Sequence, residues 1–320
     1  MRKGVNLRST AFRVYGNLLH ASAAHAKALG SMPGARAAHA AVLRHLESPS
    51  IVSSTVAGLR LLVHADSTVG RNLLLHGSYE PYETELFLSS IIPDTTVLDI
   101  GANVGYYSLL ASCAMNNSGR VLSFEPHPEL FRLLTCNIEA NGSENVVPLN
   151  VALTNRVGTI RLFFSSVDRG KHSLSSFNAS VCAGSPSAEH SDHVADSRQT
   201  PASAIVPAMR LDDVLRDRDL PPVSVVKMDV EGAEHLVFDG ATTMLDTAQP
   251  MTIFFEFWPD GIMRLGGKPR ELLVRLERAG FSLSIIDNRN RRLLPALSNK
   301  ILRHCNDTHA GQLDLQCVRH

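Results

Sequence analysis

The chain has 320 residues, of which 44% are hydrophobic and 19% are charged, so it can bury a full-sized core. Lysine plus arginine equals aspartate plus glutamate, at 31 each, and this balance gives no reason to expect a polyanionic partner such as nucleic acid. No apolar run approaches the roughly 18 residues that cross a bilayer, so we expect no transmembrane segment.

Residues 1–50 differ in composition from the rest of the chain. The first acidic residue is Glu47, and arginine and lysine precede it in an Ala- and Ser-rich background. Two short helices around a break at residues 30–34 predict an N-terminal helical extension. The same bias also fits a mitochondrial transit peptide or a basic helix in peripheral contact with an anionic membrane.

The five cysteines are odd in number, widely spaced and without a C-x-x-C pair. This pattern indicates neither a disulfide framework nor a zinc site. We therefore expect a reducing, cytoplasmic location.

In chain order, residues 51–82 predict short strands and turns, one of the strands at residues 72–75. From residue 95 onward, apolar strands alternate with amphipathic helices, which is typical of an α/β fold with helices on both faces of a parallel sheet. The predicted strands cover residues 96–100, 120–124, 146–151, 223–228, 251–257, 281–286 and 313–318. They predict one domain, residues 51–320, with a doubly wound, mostly parallel seven-stranded sheet.

Residues 178–208 interrupt this alternation. The segment is polar and rich in Ser, Ala, Pro and His. Such a composition buries little apolar area against the entropy of ordering. We predict a polar insertion that forms a mobile loop.

An acidic residue directly follows the second predicted strand. At this place in a doubly wound fold, a side chain such as that of Glu125 can accept hydrogen bonds from both hydroxyls of a ribose. The sequence therefore predicts a nucleoside ligand. NAD and S-adenosylmethionine both contain one, so Glu125 does not choose between them.

The first predicted strand leads into a glycine-bearing turn, VLDIGANVG. Gly101 allows close backbone approach, and the helix after Gly105 points N–H groups at the ligand. Asp99 can accept from a cationic amine, but it repels a diphosphate. Asn103 replaces the middle glycine of a dinucleotide-binding G-x-G-x-x-G turn. The loop therefore favours S-adenosylmethionine and disfavours a nicotinamide-dependent oxidoreductase.

A second group of charged residues, in the sequence KMDVEG, follows the fourth predicted strand. We expect Asp229 and Glu231 to face the same crevice as Asp99, with Glu256 near them. Lys227 lies in an apolar strand, and we expect it to pair with one of these carboxylates. A purely structural ion-pair cluster and a Mg²⁺ site formed by Asp229, Glu231 and Glu256 remain open alternatives.

Together these motifs resemble the FkbM family of methyltransferases. The matching stretches, over about residues 59–260, are YEP, LDIGANVGYY, FEP, NIEANG, LDD and KMDVEGAE. The resemblance implies a Rossmann-like class I methyltransferase fold, S-adenosylmethionine as cofactor, and O-methylation of a sugar, glycan or natural product. It implies that the cofactor contacts are Asp99, Gly101, Asn103, Gly105 and Glu125, with Glu80, Tyr106, Asn150 and Ala152 towards its amino-acid and adenine ends. His127, just after Glu125, is a candidate for the adenine edge, and a surface histidine is the favoured alternative.

Methyl transfer to an alcohol needs a base within hydrogen-bond reach of the acceptor. Asp229 is our first candidate, Glu231 the second and His235 the third, while Lys227 would position them or balance their charge. A non-catalytic module that binds the cofactor or a partner is the alternative from a different class.

Overall fold

A computed structural model describes residues 51–165, 172–174, 202–307 and 311–320. The predicted N-terminal extension, residues 1–50, and residues 178–201 of the predicted insertion lie outside the described residues. Within the described part, no helix has both the length and the apolar character that crossing a bilayer requires.

The described chain alternates strands and helices over most of its length. Its strands are β1 (Ile51–Val56), β2 (Leu59–His64), β3 (Thr96–Ile100), β4 (Arg120–Phe124), β5 (Val146–Leu149), β6 (Ala152–Leu153), β7 (Gly158–Phe164), β8 (His172–Ser173), β9 (Ser203–Met209), β10 (Val223–Met228), β11 (Met251–Phe257), β12 (Ser282–Asp287), β13 (Arg292–Pro295) and β14 (Leu313–Arg319). Its helices are α1 (Thr68–His76), α2 (Pro81–Ser90), α3 (Tyr106–Ala114), α4 (Pro128–Asn141), α5 (Leu211–Arg216), α6 (Glu234–Asp239), α7 (Thr242–Asp246), α8 (Pro259–Arg264), α9 (Pro269–Arg278) and α10 (Ser298–Asp307).

The main sheet has eight strands in the order β5-β4-β3-β10-β11-β14-β12-β13. The strands from β5 to β11 are parallel, while β14 is antiparallel to both β11 and β12. Each of the seven predicted strands contributes to this sheet, which confirms the α/β doubly wound, mostly parallel fold class. The sequence did not predict β13, a four-residue strand that pairs antiparallel with β12 at the sheet edge.

Helices cover both faces of the sheet because consecutive strand residues point to opposite sides. Val97 and Val225 pack in one core cluster with residues of α3 and α4, whereas their neighbours Leu98 and Val226 pack in the other with residues of α6 and α9. All four side chains are completely buried. These strands are therefore apolar on both faces of the sheet. The charged residues at the strand ends are exceptions to this pattern.

The segment before the sheet is a hairpin and a helix. Strands β1 and β2 pair antiparallel, as expected from the strand pattern. The predicted strand at residues 72–75 is wrong, because these residues lie in α1. Ser67 Oγ caps that helix by accepting from Gly70 N at 2.9 Å, and Gly77 ends it with a φ of 67°. A short apolar run alone did not distinguish helix from strand.

A second, smaller sheet has the order β6-β9-β7-β8. Strand β9 lies at the end of the predicted insertion, so an irregular loop is wrong for residues 203–208. Burial alternates along this strand: Ile205 and Pro207 are exposed, whereas Val206 and Ala208 are buried. This two-residue alternation is that of a half-buried strand, but the surrounding polar composition obscured it.

Candidate active site

The carboxyl edge of the parallel strands carries a row of charged residues. Strand order reverses between β3 and β10, and ligands of doubly wound folds bind at such a switch point. The register places Asp99 beside Lys227 on the neighbouring strand, and Glu256 beside Asp314. Side chains from separate parts of the sequence therefore meet at one edge.

The glycine loop lies against the loop that follows β10. Gly101 has a φ of +83°, and a Cβ there would lie 2.0 Å from the backbone oxygen of Asp229. Gly105 has a φ of +90°, and its Cβ would lie 2.6 Å from Leu134. Asn103 between them has a φ of +52°. Only glycine fits at 101 and 105 without a shift, so these two residues let the loop pack closely against the loop after β10 and against α4.

Glu125 is fully buried where β4 ends. Its Oε2 accepts from Asn103 N at 2.8 Å and its Oε1 accepts from His127 N at 2.7 Å. Burial raises the pKa of Glu125 to about 8, although these two hydrogen bonds oppose the rise. The carboxyl group therefore fixes the glycine loop to the end of β4, next to the predicted ribose position.

Asp99 is buried on the same edge. Ser108 Oγ donates to Asp99 Oδ2 at 2.5 Å and lies 2.7 Å from Ser123 Oγ. Burial raises the pKa of Asp99 to about 6, and the hydrogen bond from Ser108 and the charge of Lys227 limit the rise. Asp99 lines a polar cleft, as a residue that accepts from a cationic amine requires.

Lys227 does not pair with the carboxylates expected from the sequence. Its Nζ donates to Glu83 Oε1 at 2.6 Å and lies 3.5 Å from Glu80 Oε2. Both partners belong to the start of α2, which packs over the strand ends. The expected pairing with Asp229, Glu231 or Glu256 is therefore wrong.

Glu80 and two tyrosines complete this end of the cleft. Glu80 has a φ of +43°, and its Oε2 accepts from Tyr107 OH at 2.8 Å. The Tyr106 hydroxyl donates to the carbonyl oxygen of Tyr79 at 3.3 Å. Tyr106 and Glu80 thus line the cleft, and their contact with the cofactor stays a prediction.

The loop after β10 presents Asp229 and Glu231. Carboxylate oxygens of Asp229, Glu231 and Glu256 all lie within 4.8 Å of one another. Glu231 has a φ of +52°, and Glu234 Oε1 accepts from Gly232 N at 3.2 Å. This strained backbone holds acidic groups at the cleft, a common property of functional sites. This arrangement of carboxylate oxygens is compatible with a base, and their separation is also compatible with the Mg²⁺ alternative.

The cleft joins two pockets of different character, and Gly101 lines both. The residues of the first include polar and charged groups, namely Tyr79, Asp99, Asn103, Tyr107, Lys227, Asp229 and Glu231. The residues of the second are mostly apolar and include Phe124, Pro126, Ala152, Leu162 and Ala233. A ligand with a flat apolar end and a charged end matches this division.

Three predicted residues lie at the margins. Asn150 Nδ2 donates to the carbonyl oxygen of Glu125 at 2.8 Å, so it shapes the turn behind that residue. His127 caps α4, and its ring centroid lies 4.1 Å from that of Phe164 in the small sheet. His235 lies against Gly267 and does not line the described pockets, which gives no support to a role as base.

Sequence reasoning missed Glu83, Glu234 and Asp314. Glu83 and Glu234 are fully buried, and Asp314 lines the acidic end of the cleft. Burial of acids on amphipathic helices depends on tertiary packing, which periodicity does not reveal. The one available signal was Lys227, because a lysine in an apolar strand requires a buried acid somewhere in the fold.

A doubly wound sheet with a glycine loop, a buried acid after its second strand and a cleft at the switch point is the architecture of the class I methyltransferase fold. The profile of the Methyltransferase FkbM domain matches residues 99–283, and the chain belongs to this family. Its cofactor is S-adenosylmethionine. The residues fit that molecule, since an apolar pocket and a charged pocket meet at Gly101, which lines both.

Several proteins are similar to this chain in sequence or in fold. Hexuronic acid methyltransferase AglP of Haloferax volcanii is 27% identical over 241 residues, which make up 75% of this chain and 84% of that protein. Methyltransferase FkbM from Methylobacillus flagellatus is 11% identical with a TM-score of 0.40, over 77% of this chain and 52% of that one. A Streptococcus mutans protein in complex with SAH is 7% identical with a TM-score of 0.41, over 75% and 97%. The family assignment rests on the sequence match.

Proposed function

We propose that this protein methylates a hydroxyl oxygen of a sugar or glycan, with Asp229 as the base. The observation that carries the proposal is the meeting of three carboxylates, from Asp229, Glu231 and Glu256, within 4.8 Å beside the cofactor loop. An alcohol must lose its proton as the new bond forms, and a carboxylate within reach accepts it.

Asp229 and Glu231 both line the polar cleft and the acidic region next to it, and Asp229 is the preferred base because it is half-buried whereas Glu231 is buried. When bound, S-adenosylmethionine supplies an electrophilic methyl group for in-line displacement. Asp229 then accepts the acceptor's proton, with Glu231 as the second candidate. The chain's main contribution is to hold the acceptor oxygen in line and away from water.

A saccharide acceptor is consistent with the chemistry of the cleft wall. Its acidic region is lined by Thr68, Glu80, Asn103, Asp229, Glu231, Glu256, Gln312 and Asp314, among others. Carboxylate, amide and hydroxyl oxygens accept hydrogen bonds from several hydroxyl groups at once. The Haloferax volcanii relative is a hexuronic acid methyltransferase, which supports the same acceptor class.

The test is an acceptor panel with purified full-length protein and S-adenosylmethionine. The panel contains methyl glycosides of neutral hexoses, glucuronic acid and its methyl ester, and the readout is release of S-adenosylhomocysteine. We expect a saccharide product whose methyl group survives mild alkali, as an ether does. An alkali-labile ester would contradict the hydroxyl acceptor, and a protein that binds cofactor but transfers to no saccharide would contradict the sugar acceptor.

A further inference from the structure

Lys227 is the only cationic side chain lining the cleft among the residues that the structure describes. Its residue is 3% exposed, and its Nζ lies 4.9 Å from the centroid of the Tyr107 ring. An ammonium group has three N–H donors. In the described structure one of them donates to Glu83 Oε1 at 2.6 Å, and Nζ also forms an ion pair with Glu80 Oε2 at 3.5 Å. Even with both acids served, the lysine has a third N–H for a ligand in the cleft.

The charges of the cleft complement those of the cofactor. At neutral pH, S-adenosylmethionine carries two positive groups, a sulfonium and an ammonium, and one negative α-carboxylate. Acidic residues line the cleft on several sides, and Lys227 is the one cation beside them in the part of the chain that the structure describes. The acids suit the two positive groups, whereas an α-carboxylate among them would be repelled unless a cation met it.

We propose that Lys227 binds the α-carboxylate of S-adenosylmethionine and that Glu83 is the residue that positions the ammonium group of Lys227. Glu83 is fully buried, and its Oε2 has no hydrogen-bond partner in the described structure. A buried carboxylate without full compensation is costly, so its retention beside Lys227 is explained by the placement of that cation. The proposal rests on the cofactor and not on the acceptor.

The hydrogen bond from Lys227 to Glu83 distinguishes binding of the α-carboxylate from a role in balancing the charge of the base. Lys227 Nζ bonds to an acid of α2 and not to the carboxylates after β10. A lysine that only balanced Asp229 would act on each cofactor analogue through its net charge and would form no hydrogen bond to it. A lysine that binds the α-carboxylate discriminates between a ligand with that group and one without it.

Calorimetric titration of the full-length protein with S-adenosylmethionine and decarboxylated S-adenosylmethionine tests this assignment. The decarboxylated ligand has one more net positive charge, so the acidic cleft alone favours it. We expect the wild type to bind S-adenosylmethionine at least about tenfold more tightly, the scale of a charge-assisted hydrogen bond. Equal or tighter binding of the decarboxylated ligand would overturn the proposal.

Variants then assign the preference to the lysine. In Lys227→Met we expect the preference to fall to within about twofold, and Glu83→Gln should reduce it partly. If Lys227→Met folds poorly, the double variant Glu83→Gln/Lys227→Met replaces it. The double variant leaves no unpaired buried charge, and we expect it to show the same loss of preference. Lys268→Met, at an exposed pair with Glu271, should keep the full preference.

A preference retained in Lys227→Met would mean that loop N–H groups hold the carboxylate and would overturn the proposal. Failure of this assignment would leave O-methylation standing, because the acceptor panel is read from methyl transfer. Absence of S-adenosylmethionine binding in the wild type would contradict both.

Discussion

Glu125 combines complete burial with two backbone hydrogen bonds, to Asn103 and His127. The group that is predicted to accept the ribose hydroxyls thus also ties the cofactor loop to the end of β4. Because Glu125 itself holds the cofactor loop, no other element is needed to place its carboxyl group beside the ligand. Burial raises the pKa of Glu125 to about 8, and a bound nucleoside would lie against this buried carboxyl group.

We expect Glu125→Ala to weaken binding of S-adenosylhomocysteine by roughly 1–3 kcal/mol, the usual cost of leaving a buried polar group without its hydrogen-bond partner. Isothermal titration calorimetry measures the change directly. Glu129→Ala, at an exposed carboxylate on the following helix, should bind as the wild type does. An unchanged affinity in Glu125→Ala would remove the residue from the cofactor site.

At the scale of elements, the loop between β10 and α6 is held by a residue that sequence reasoning missed. Glu234 Oε1 accepts from Gly232 N at 3.2 Å and Val230 N at 3.4 Å. Burial raises the pKa of Glu234 to about 8 from an ordinary 4.5. Between these values the folded chain keeps a proton that the unfolded chain has lost, so this group's contribution to stability falls as the pH rises.

We therefore expect Glu234→Gln, which keeps the oxygen acceptor without the charge, to gain stability relative to wild type as the pH rises from about 4.5 to about 8. The gain in free energy of unfolding should reach at most about 1.4 kcal/mol per pH unit. Urea denaturation at several pH values measures it. Glu271→Gln, at an exposed carboxylate of α9, should show no such trend. A difference that is constant with pH would show that Glu234 ionises normally in the folded protein.

At the scale of the whole molecule, the sequence predicted the parallel sheet because its strands are buried on both faces. Their continuous apolar runs, ending in Asp99, Glu125 and Asp229, are a local signal that also predicts the sheet edge used by ligands. The small sheet and the partner of Lys227 depend on long-range packing. Glu83 pairs with a lysine 144 positions away, which no local pattern contains.

Turnover of Asp229→Asn tests the central claim, that a carboxylate at this edge removes the acceptor's proton. The acceptor is the saccharide that the panel identifies. Because asparagine keeps the shape but accepts no proton, we expect turnover to fall by about 10²–10⁴ while affinity for S-adenosylhomocysteine and the melting temperature stay near wild type. Asp246→Asn, at an exposed carboxylate of α7, should keep full turnover. Near-wild-type turnover of Asp229→Asn would contradict the base assignment, as would a loss of several kcal/mol in stability, which a purely structural cluster predicts.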